Sequence, residues 1–175
     1  MRALWLSVVA LVMLVTTAAA RGDDDCSNAS PAEARALAYK AAAQLEKLGA
    51  RAAFEKFMDP DGDYFPRDLY VFVVDLEGTM VVNGAFPQSI GASVLNAEDA
   101  KGRHYIRQML HIATQRGEGR IEYLWYNPCT GEYTNKTTFF KRVGEYVVAV
   151  GAYGSITTKL APATHAYRAS GTAGS

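Results

Sequence analysis

The sequence predicts an α+β domain, with a central antiparallel sheet of about five strands, a long N-terminal helix, and a second helix between strands 2 and 3. Two observations support this class. Apolar residues recur at three- and four-residue steps near the start of the chain and again after residue 103, which is the period of an amphipathic helix. Elsewhere, short aromatic and β-branched runs alternate with turns rich in Gly, Pro and Asn, as in antiparallel strands.

The composition is that of one globular domain without an affinity for nucleic acid. Hydrophobic residues make up 49% of the 175 residues, which is enough for a sizeable core. Basic and acidic residues both number 18, and no basic block provides the electrostatic footprint that nucleic acid requires. The sequence contains no recognisable catalytic, phosphate-binding or cofactor motif, so we expect no catalytic residue and no cofactor.

The helices are predicted from their start and stop signals. Ser30, Pro31 and Glu33 match an N-cap, a first-turn proline and the acidic residue of a capping box, and Gly49 fits the C-cap. A short return helix and a third, amphipathic helix then follow. Their predicted ranges are 51–58 and 103–116.

The strands are predicted in two groups, one on each side of the third helix. A hairpin turn with Gly78 at its left-handed position joins the first two strands. The loop of about twenty residues that follows is long enough to be functional or to carry a short helix of its own. The predicted strands cover 69–74, 79–83, 121–126, 133–142 and 146–153.

The two ends of the chain are expected to lie outside the fold. Residues 1–20 combine a positive start, an apolar run and an Ala-x-Ala pattern, which predicts a cleaved signal peptide, with an uncleaved anchor as the alternative. The folded domain is predicted over 30–153, and a disordered Thr/Ala/Gly-rich tail over 154–175. No later apolar run is long enough to span a membrane, so we expect a periplasmic or secreted protein.

Neither the cysteines nor the acidic turn predicts a metal site. Cys26 and Cys129 could form one disulfide in an exported protein, or remain two thiols. Asp59, Asp61 and Asp63 alternate, but the Gly and Glu positions of an EF-hand loop are absent. A Pro/Gly/Asp turn is the better interpretation, and we predict no metal site.

One group of residues suggests a ligand pocket. Alternation places Tyr123 and Trp125 on one face of their strand, and Lys136 lies on the next strand. If these faces meet the helix side that carries Tyr105 and Met109, they form a small aromatic pocket with one ammonium, the usual design of a small-molecule site. A buried Lys requires an anionic partner, which predicts a small organic anion. The alternative is that the aromatic residues are core and Lys136 extends to water.

The order of five segments is similar to single Cache domains of the second type (sCache_2). These are PAS-like extracytoplasmic sensor domains of bacterial receptors, which also occur as stand-alone exported proteins. The segments are LYVFVVDLEG, PQSIGASV, DAKGRHYIRQMLHIA, GEGRIEYLWYNPCTGE and NKTTFFKRVGEYVVAVGAY.

The resemblance implies a long N-terminal helix along the sheet and a pocket for small organic acids. Tyr105, Tyr123, Trp125 and Lys136 occupy positions where the family pattern has an aromatic residue, Tyr, Trp and Lys. Asn83 stands where family members often have His, so this position can donate a hydrogen bond but carries no charge.

The resulting expectation is an exported protein that binds a short organic acid and presents the bound state to a membrane receptor or kinase. The sequence shows no second apolar span and no signalling helices, so a separate partner is expected. Two other classes stay open. A small periplasmic enzyme would need a titratable pair such as Lys136 with Glu122 or Glu132, whereas an interaction module would fill the space between helix and sheet with aromatic side chains.

Overall fold

The computed structural model describes residues 28–157, with side chains through residue 154. Within this range three α-helices, one short 3-10 helix and five strands follow one another along the chain. Their bounds are Pro31–Leu48 (α1), Ala50–Phe57 (α2), Val71–Asp75 (β1), Met80–Asn83 (β2), Pro87–Ser89 (3-10 helix), Tyr105–Arg116 (α3), Glu118–Asn127 (β3), Glu132–Val143 (β4) and Tyr146–Thr157 (β5). The predicted α+β class is confirmed, with α3 between β2 and β3.

The first helix begins at the predicted capping box. Ser30 Oγ accepts a hydrogen bond from Glu33 N at 3.3 Å, and the Glu33 carboxylate accepts one from Ser30 N at 2.8 Å. Small apolar side chains then form one face of α1, which packs on β4 and β5. The buried residues of this face are Ala34, Leu37, Ala38, Ala41, Ala42 and Leu45.

The strands form one antiparallel sheet in the order β2-β1-β5-β4-β3. β5 is the last described strand along the chain, yet it occupies the centre of the sheet, paired with β1 on one side and β4 on the other. Every residue from 147 to 153 is buried, as expected for a strand that is covered on both faces. This central position brings residues from both ends of the domain together.

The sheet separates two apolar layers. On one face α1 and α2 pack against residues such as Val71, Val73 and Val148. On the opposite face α3 packs against the residues that alternate with these along the strands, such as Phe72 and Val147. Because successive strand residues point to opposite faces, each strand contributes to both layers.

The ends of the elements differ from the predictions in one informative place. β5 continues to Thr157, beyond the predicted end at residue 153, because its pairing with β4 extends to Thr134. The long loop before α3 contains the short 3-10 helix, as expected. The predicted signal peptide (1–20) and residues 158–175 of the predicted tail lie outside the described residues. Between residues 28 and 157, no helix has both the length and the apolar character needed to cross a membrane.

Gly151 in β5 provides the first test of this packing. A Cβ added at Gly151 would lie 2.2 Å from Lys136 Cε and 2.4 Å from Thr138 Oγ1. Both neighbours are fully buried, so neither has free space to move into. We expect Gly151→Ala to lower the free energy of unfolding by about 1–3 kcal/mol, measured by urea denaturation.

Gly154 on the same strand is the matched control. A Cβ there would first meet Asn135 O at 3.4 Å, which is ordinary van der Waals contact. Gly154→Ala is therefore expected to change the stability by no more than about 0.5 kcal/mol. Equal effects of the two substitutions would contradict the close packing of Lys136 against β5.

Candidate ligand site around Lys136

Lys136 lies within β4 with its side chain fully buried. Its register partners are Tyr123 on β3 and Tyr153 on β5, so three neighbouring strands present a Tyr–Lys–Tyr row to the layer that α3 covers. Gly151 lies two residues before Tyr153 and has no side chain, which leaves room for the aliphatic part of Lys136. The backbone of β5 therefore packs closely against the aliphatic part of Lys136.

Two tyrosine hydroxyls hold the ammonium of Lys136. Nζ donates to Tyr70 Oη at 2.7 Å and to Tyr153 Oη at 3.2 Å. It also lies 3.9 Å from the centre of the Tyr70 ring and 4.6 Å from that of Tyr153. Tyr153 Oη donates to the main-chain carbonyl of Tyr126 at 3.0 Å, which orients that hydroxyl. The positive charge thus has polar and π-face contacts, all with electrically neutral groups.

Asp68 is a buried carboxylate that interacts electrostatically with Lys136. Its Oδ1 accepts a hydrogen bond from Ala29 N at 2.8 Å, while its Oδ2 is buried with no hydrogen-bond partner among the described residues. Within residues 28–157, neither Asp68 nor any other carboxylate forms an ion pair with Lys136. The two charges influence each other without direct contact.

Burial dominates the titration of these groups. It lowers the pKa of Lys136 well below its usual value, and the charge of Asp68 opposes this effect. Burial also raises the pKa of Asp68, against the hydrogen bond from Ala29 and the charge of Lys136. For Tyr70 and Tyr153, burial raises the pKa of the phenol above its usual range, so both hydroxyls stay neutral and able to donate or accept.

Aromatic rings form the wall beside the ammonium. The rings of Tyr105 on α3 and Tyr123 stack at 4.4 Å and 15°, and Trp125 lies 5.1 Å from Tyr105 and 6.0 Å from Tyr123. Tyr123 Oη accepts a hydrogen bond from Thr138 Oγ1 at 3.0 Å. Met109, one turn along α3 from Tyr105, is fully buried in the same layer.

These groups make one continuous site, which we call the Lys136 cluster. It combines a buried cation, neutral hydroxyls and flat apolar surfaces, a set of groups suited to a small anion with a short apolar body. Its members are Lys136, Tyr70, Tyr153, Tyr123, Tyr105 and Trp125.

Asn83, the remaining candidate from the sequence, holds a loop rather than the ammonium. Its Nδ2 donates to Ser89 Oγ at 3.1 Å and its Oδ1 accepts from Phe86 N at 3.0 Å. The ring of Phe86 then lies 5.9 Å from that of Tyr70 and 6.4 Å from that of Trp125. Asn83 therefore positions Phe86 against the Lys136 cluster, and its direct role towards a ligand stays a prediction.

Sequence reasoning missed Tyr70, Tyr153 and Asp68. Alternation alone could have placed Tyr70 on the same face of β1 as Phe72. It could not have placed this face beside Lys136, because the two meet only through β5, which pairs with both β1 and β4. No signal in the sequence marked Asp68, which lies in the connection before β1.

The titratable pairs considered for an enzyme do not form. Glu122 is exposed on the opposite face of β3 from Tyr123. Glu132 pairs with Asn127 at the start of β4, four residues before Lys136. Neither carboxylate forms an ion pair with Lys136 in the described part of the chain.

Cys129 lies in the turn between β3 and β4 and is not a free thiol. Cys26, the partner that the sequence offers, lies outside the described residues, so the predicted pairing stays a prediction.

The comparison with known families covers the part of the chain that contains the Lys136 cluster. A family model for the Cache domain matches residues 62–160, more than half of the chain. The chain belongs to the Cache domain family. This confirms the resemblance to a single Cache domain of the second type, and it places the protein in a family of sensor and ligand-binding modules.

Solved structures show the same PAS-like Cache fold. A methyl-accepting chemotaxis protein from Vibrio parahaemolyticus is 20% identical with a TM-score of 0.61, covering 70% of this chain and 86% of that chain. The periplasmic sensor domain of a chemotaxis protein is 25% identical with a TM-score of 0.55, covering 70% and 88%. A Cache chemosensory domain solved for its recognition of carboxylic acids is 18% identical with a TM-score of 0.60, covering 70% and 91%. No curated protein matches the chain at a significant level.

The buried charge in this Cache domain predicts a pH-dependent stability. The pKa of Lys136 is lower in the folded protein than in the unfolded chain, so the unfolded chain holds the proton more tightly. The free energy of unfolding should therefore rise with pH between the lowered pKa and the unfolded value near 10.5. Lys136→Met lacks this contribution, so its stability relative to the parent should be highest at the acid end of that window and should fall as the pH rises.

Urea denaturation from about pH 6 to about pH 8.5 measures this difference, below the range in which tyrosines of the unfolded chain ionise. The control is Lys141→Met on the same strand, because the Lys141 side chain is 34% exposed and pairs with Glu46 at 3.7 Å. We expect the control to follow the parent at every pH. A constant difference between Lys136→Met and the parent would show that Lys136 titrates normally.

Proposed function

We propose that this Cache domain is an exported sensor that binds a short organic acid, with Lys136 as the charge partner of the carboxylate. The observation that carries the proposal is a buried ammonium whose two hydrogen-bond acceptors, Tyr70 and Tyr153, are neutral hydroxyls. An ammonium has three donors and prefers an anionic acceptor. A ligand carboxylate would supply the negative charge that the ammonium does not receive by direct contact.

The tyrosines support the same ligand chemistry. Because burial raises its pKa, Tyr70 keeps its proton and can donate to the second oxygen of a carboxylate, whereas the Tyr153 hydroxyl already donates to the Tyr126 carbonyl. Neutral donors beside a cation favour an anion, whereas an ionised phenol would repel it. The stacked rings of Tyr105 and Tyr123 and the adjacent Trp125 present apolar surfaces that suit a short hydrocarbon body.

The N-terminal sequence and the similar solved structures support sensing outside the cytoplasm. The predicted signal peptide would deliver the chain to the periplasm or the exterior. Two similar structures belong to chemotaxis proteins, and a third was solved for its recognition of carboxylic acids. A membrane receptor or kinase is the partner that would read the bound state.

A second candidate function is an interaction module that binds no small molecule. The stack of Tyr105 on Tyr123, and the two hydroxyls that already accept from Lys136, favour it, because these contacts also describe a packed core. In that case Lys136 would be a structural residue, and its removal would affect stability alone.

A binding screen tests the proposal directly. Mass spectrometry of small molecules released on denaturation of the purified protein comes first, followed by thermal-shift and calorimetric titrations with acetate, propionate, pyruvate and lactate. We expect at least one acid to bind and to raise the melting temperature, with the increase following the logarithm of its concentration above Kd. A folded protein that binds none of these acids and releases no anion would favour the interaction module.

Lys136→Met should abolish this binding without loss of the fold. Loss of the charge partner of a desolvated carboxylate costs about 2–5 kcal/mol, or roughly 30- to several-thousand-fold in affinity. The ligand-free variant should be as stable as the parent or more stable at neutral pH, because an unpaired buried ammonium is itself unfavourable. Lys141→Met, which removes a partly exposed ammonium from the same strand, should bind like the parent. Parental affinity in Lys136→Met would remove Lys136 from the site.

A further inference from the structure

One buried hydroxyl on the face of the Lys136 cluster has no hydrogen-bond partner. Thr134 is 5% exposed, and its Oγ1 forms no hydrogen bond with any group that the structure describes. A hydroxyl buried in this way costs free energy, because it has given up water without gaining a new partner. Buried polar groups of this kind are rare in native proteins, so this hydroxyl is a candidate for binding a ligand.

Thr134 belongs to the same row of side chains as Lys136. The two residues are two apart on β4, whose pairing with β3 is continuous, so both point to the face that α3 covers. The register partner of Thr134 is Trp125, and the next residue, Tyr126, provides the carbonyl that accepts from Tyr153 Oη. The same Tyr153 Oη accepts from Lys136 Nζ. Strand pairing and two hydrogen bonds therefore connect the surroundings of Thr134 with the ammonium.

Distances along this row favour a short molecule. The bonds of 3.2 Å and 3.0 Å that meet at Tyr153 Oη place the ammonium within about 6 Å of the Tyr126 carbonyl. Thr134 stands directly opposite Trp125, the residue before Tyr126, and the Cβ atoms of such a pair are about 5 Å apart. The ammonium and the hydroxyl therefore face the same short stretch of β3, where one small molecule can contact both through oxygen atoms on adjacent carbons.

Thr134 lies at the end of the Lys136 cluster that reaches the surface. Its partner Trp125 is half-buried, whereas the other members of the cluster are buried. The pairing of β5 is irregular here, because three residues of β5, 154–156, lie opposite Asn135 alone. Irregularities of this kind are common next to binding sites, where they redirect side chains or interrupt strand pairing. This is the end at which a small molecule could enter and meet the Thr134 hydroxyl.

We propose that Thr134 selects acids that carry an oxygen atom on the carbon next to the carboxylate, by forming a hydrogen bond with that oxygen. The assignment rests on the proposed function, because it requires the carboxylate to pair with Lys136. Nζ has three donors, of which Tyr70 and Tyr153 use two, so one remains for the carboxylate. The Thr134 hydroxyl can donate to a 2-oxo group, and it can donate to or accept from a 2-hydroxy group.

The first test compares two threonines on the same face of β4 in the ligand-free protein. Thr134→Val keeps the shape of the side chain and removes a hydroxyl without a partner, so the melting temperature should rise by about 2–4 °C. Thr138→Val is the matched control. Thr138 is fully buried and its Oγ1 donates to Tyr123 Oη at 3.0 Å, so loss of this bond should lower the melting temperature by a similar amount. A melting temperature that stays the same or falls in Thr134→Val would show that its hydroxyl is already satisfied, and would overturn the assignment.

The second test compares three acids that share one carbon skeleton. In calorimetric titrations of the parent, lactate or pyruvate should bind about five- to thirtyfold more tightly than propionate, which offers no oxygen to the hydroxyl. In Thr134→Val this preference should disappear, while propionate binds as it does to the parent. Thr134→Ser retains the hydroxyl and should keep the preference. Thr137→Val, which alters the opposite face of the same strand, should keep it as well.

These titrations distinguish failure of the assignment from failure of the proposed function. If the three acids bind the parent equally well, or if Thr134→Val keeps the preference, Thr134 does not select the ligand, although the site still binds acids. If none of the acids binds, the proposed function fails and the assignment fails with it. Thr134→Ala replaces Thr134→Val in these titrations should the valine variant not fold.

Discussion

Taking an ammonium out of water costs several kcal/mol unless its new surroundings replace the lost hydration. In this Cache domain two hydroxyls, two ring faces and the field of Asp68 supply that replacement for Lys136. Two further features of this face of the sheet suit a buried ammonium. A glycine stands where a side chain would strike the lysine, and burial keeps Tyr70 neutral while its oxygen accepts from the ammonium.

The sheet divides the domain into two layers of different chemistry. Against α1 and α2 most buried side chains are alanine or larger aliphatic residues, joined by the rings of Phe57 and Tyr64. Against α3 the same strands present tyrosines, a tryptophan, a lysine and a threonine, whose polar atoms bond to one another. Asp68 stands apart from this division, because it interacts with Lys136 and binds the backbone beside α1.

The sequence was informative wherever the determining contacts are local. The capping box of α1, the glycine turn at residue 78 and the shared face of Tyr123 and Trp125 all depend on near neighbours or on strand alternation, and the structure contains each of them. Tyr153 could not be placed beside Tyr70, because their hydroxyls meet only through the pairing of the first and last strands. Asn83 was assigned from the resemblance, whereas its amide is engaged by Ser89 and Phe86.

The central position of β5 also affects how the chain can fold. Until this strand is synthesised, β1 and β4 each lack one of their two partners, and the two halves of the sheet have no hydrogen bonds between them. Pairing β1 with β5 closes a loop of more than seventy residues, which is slow compared with the formation of a hairpin. A nascent chain of this topology stays incompletely folded until β5 has been synthesised. In the export that we propose, this delay would keep the chain competent for translocation.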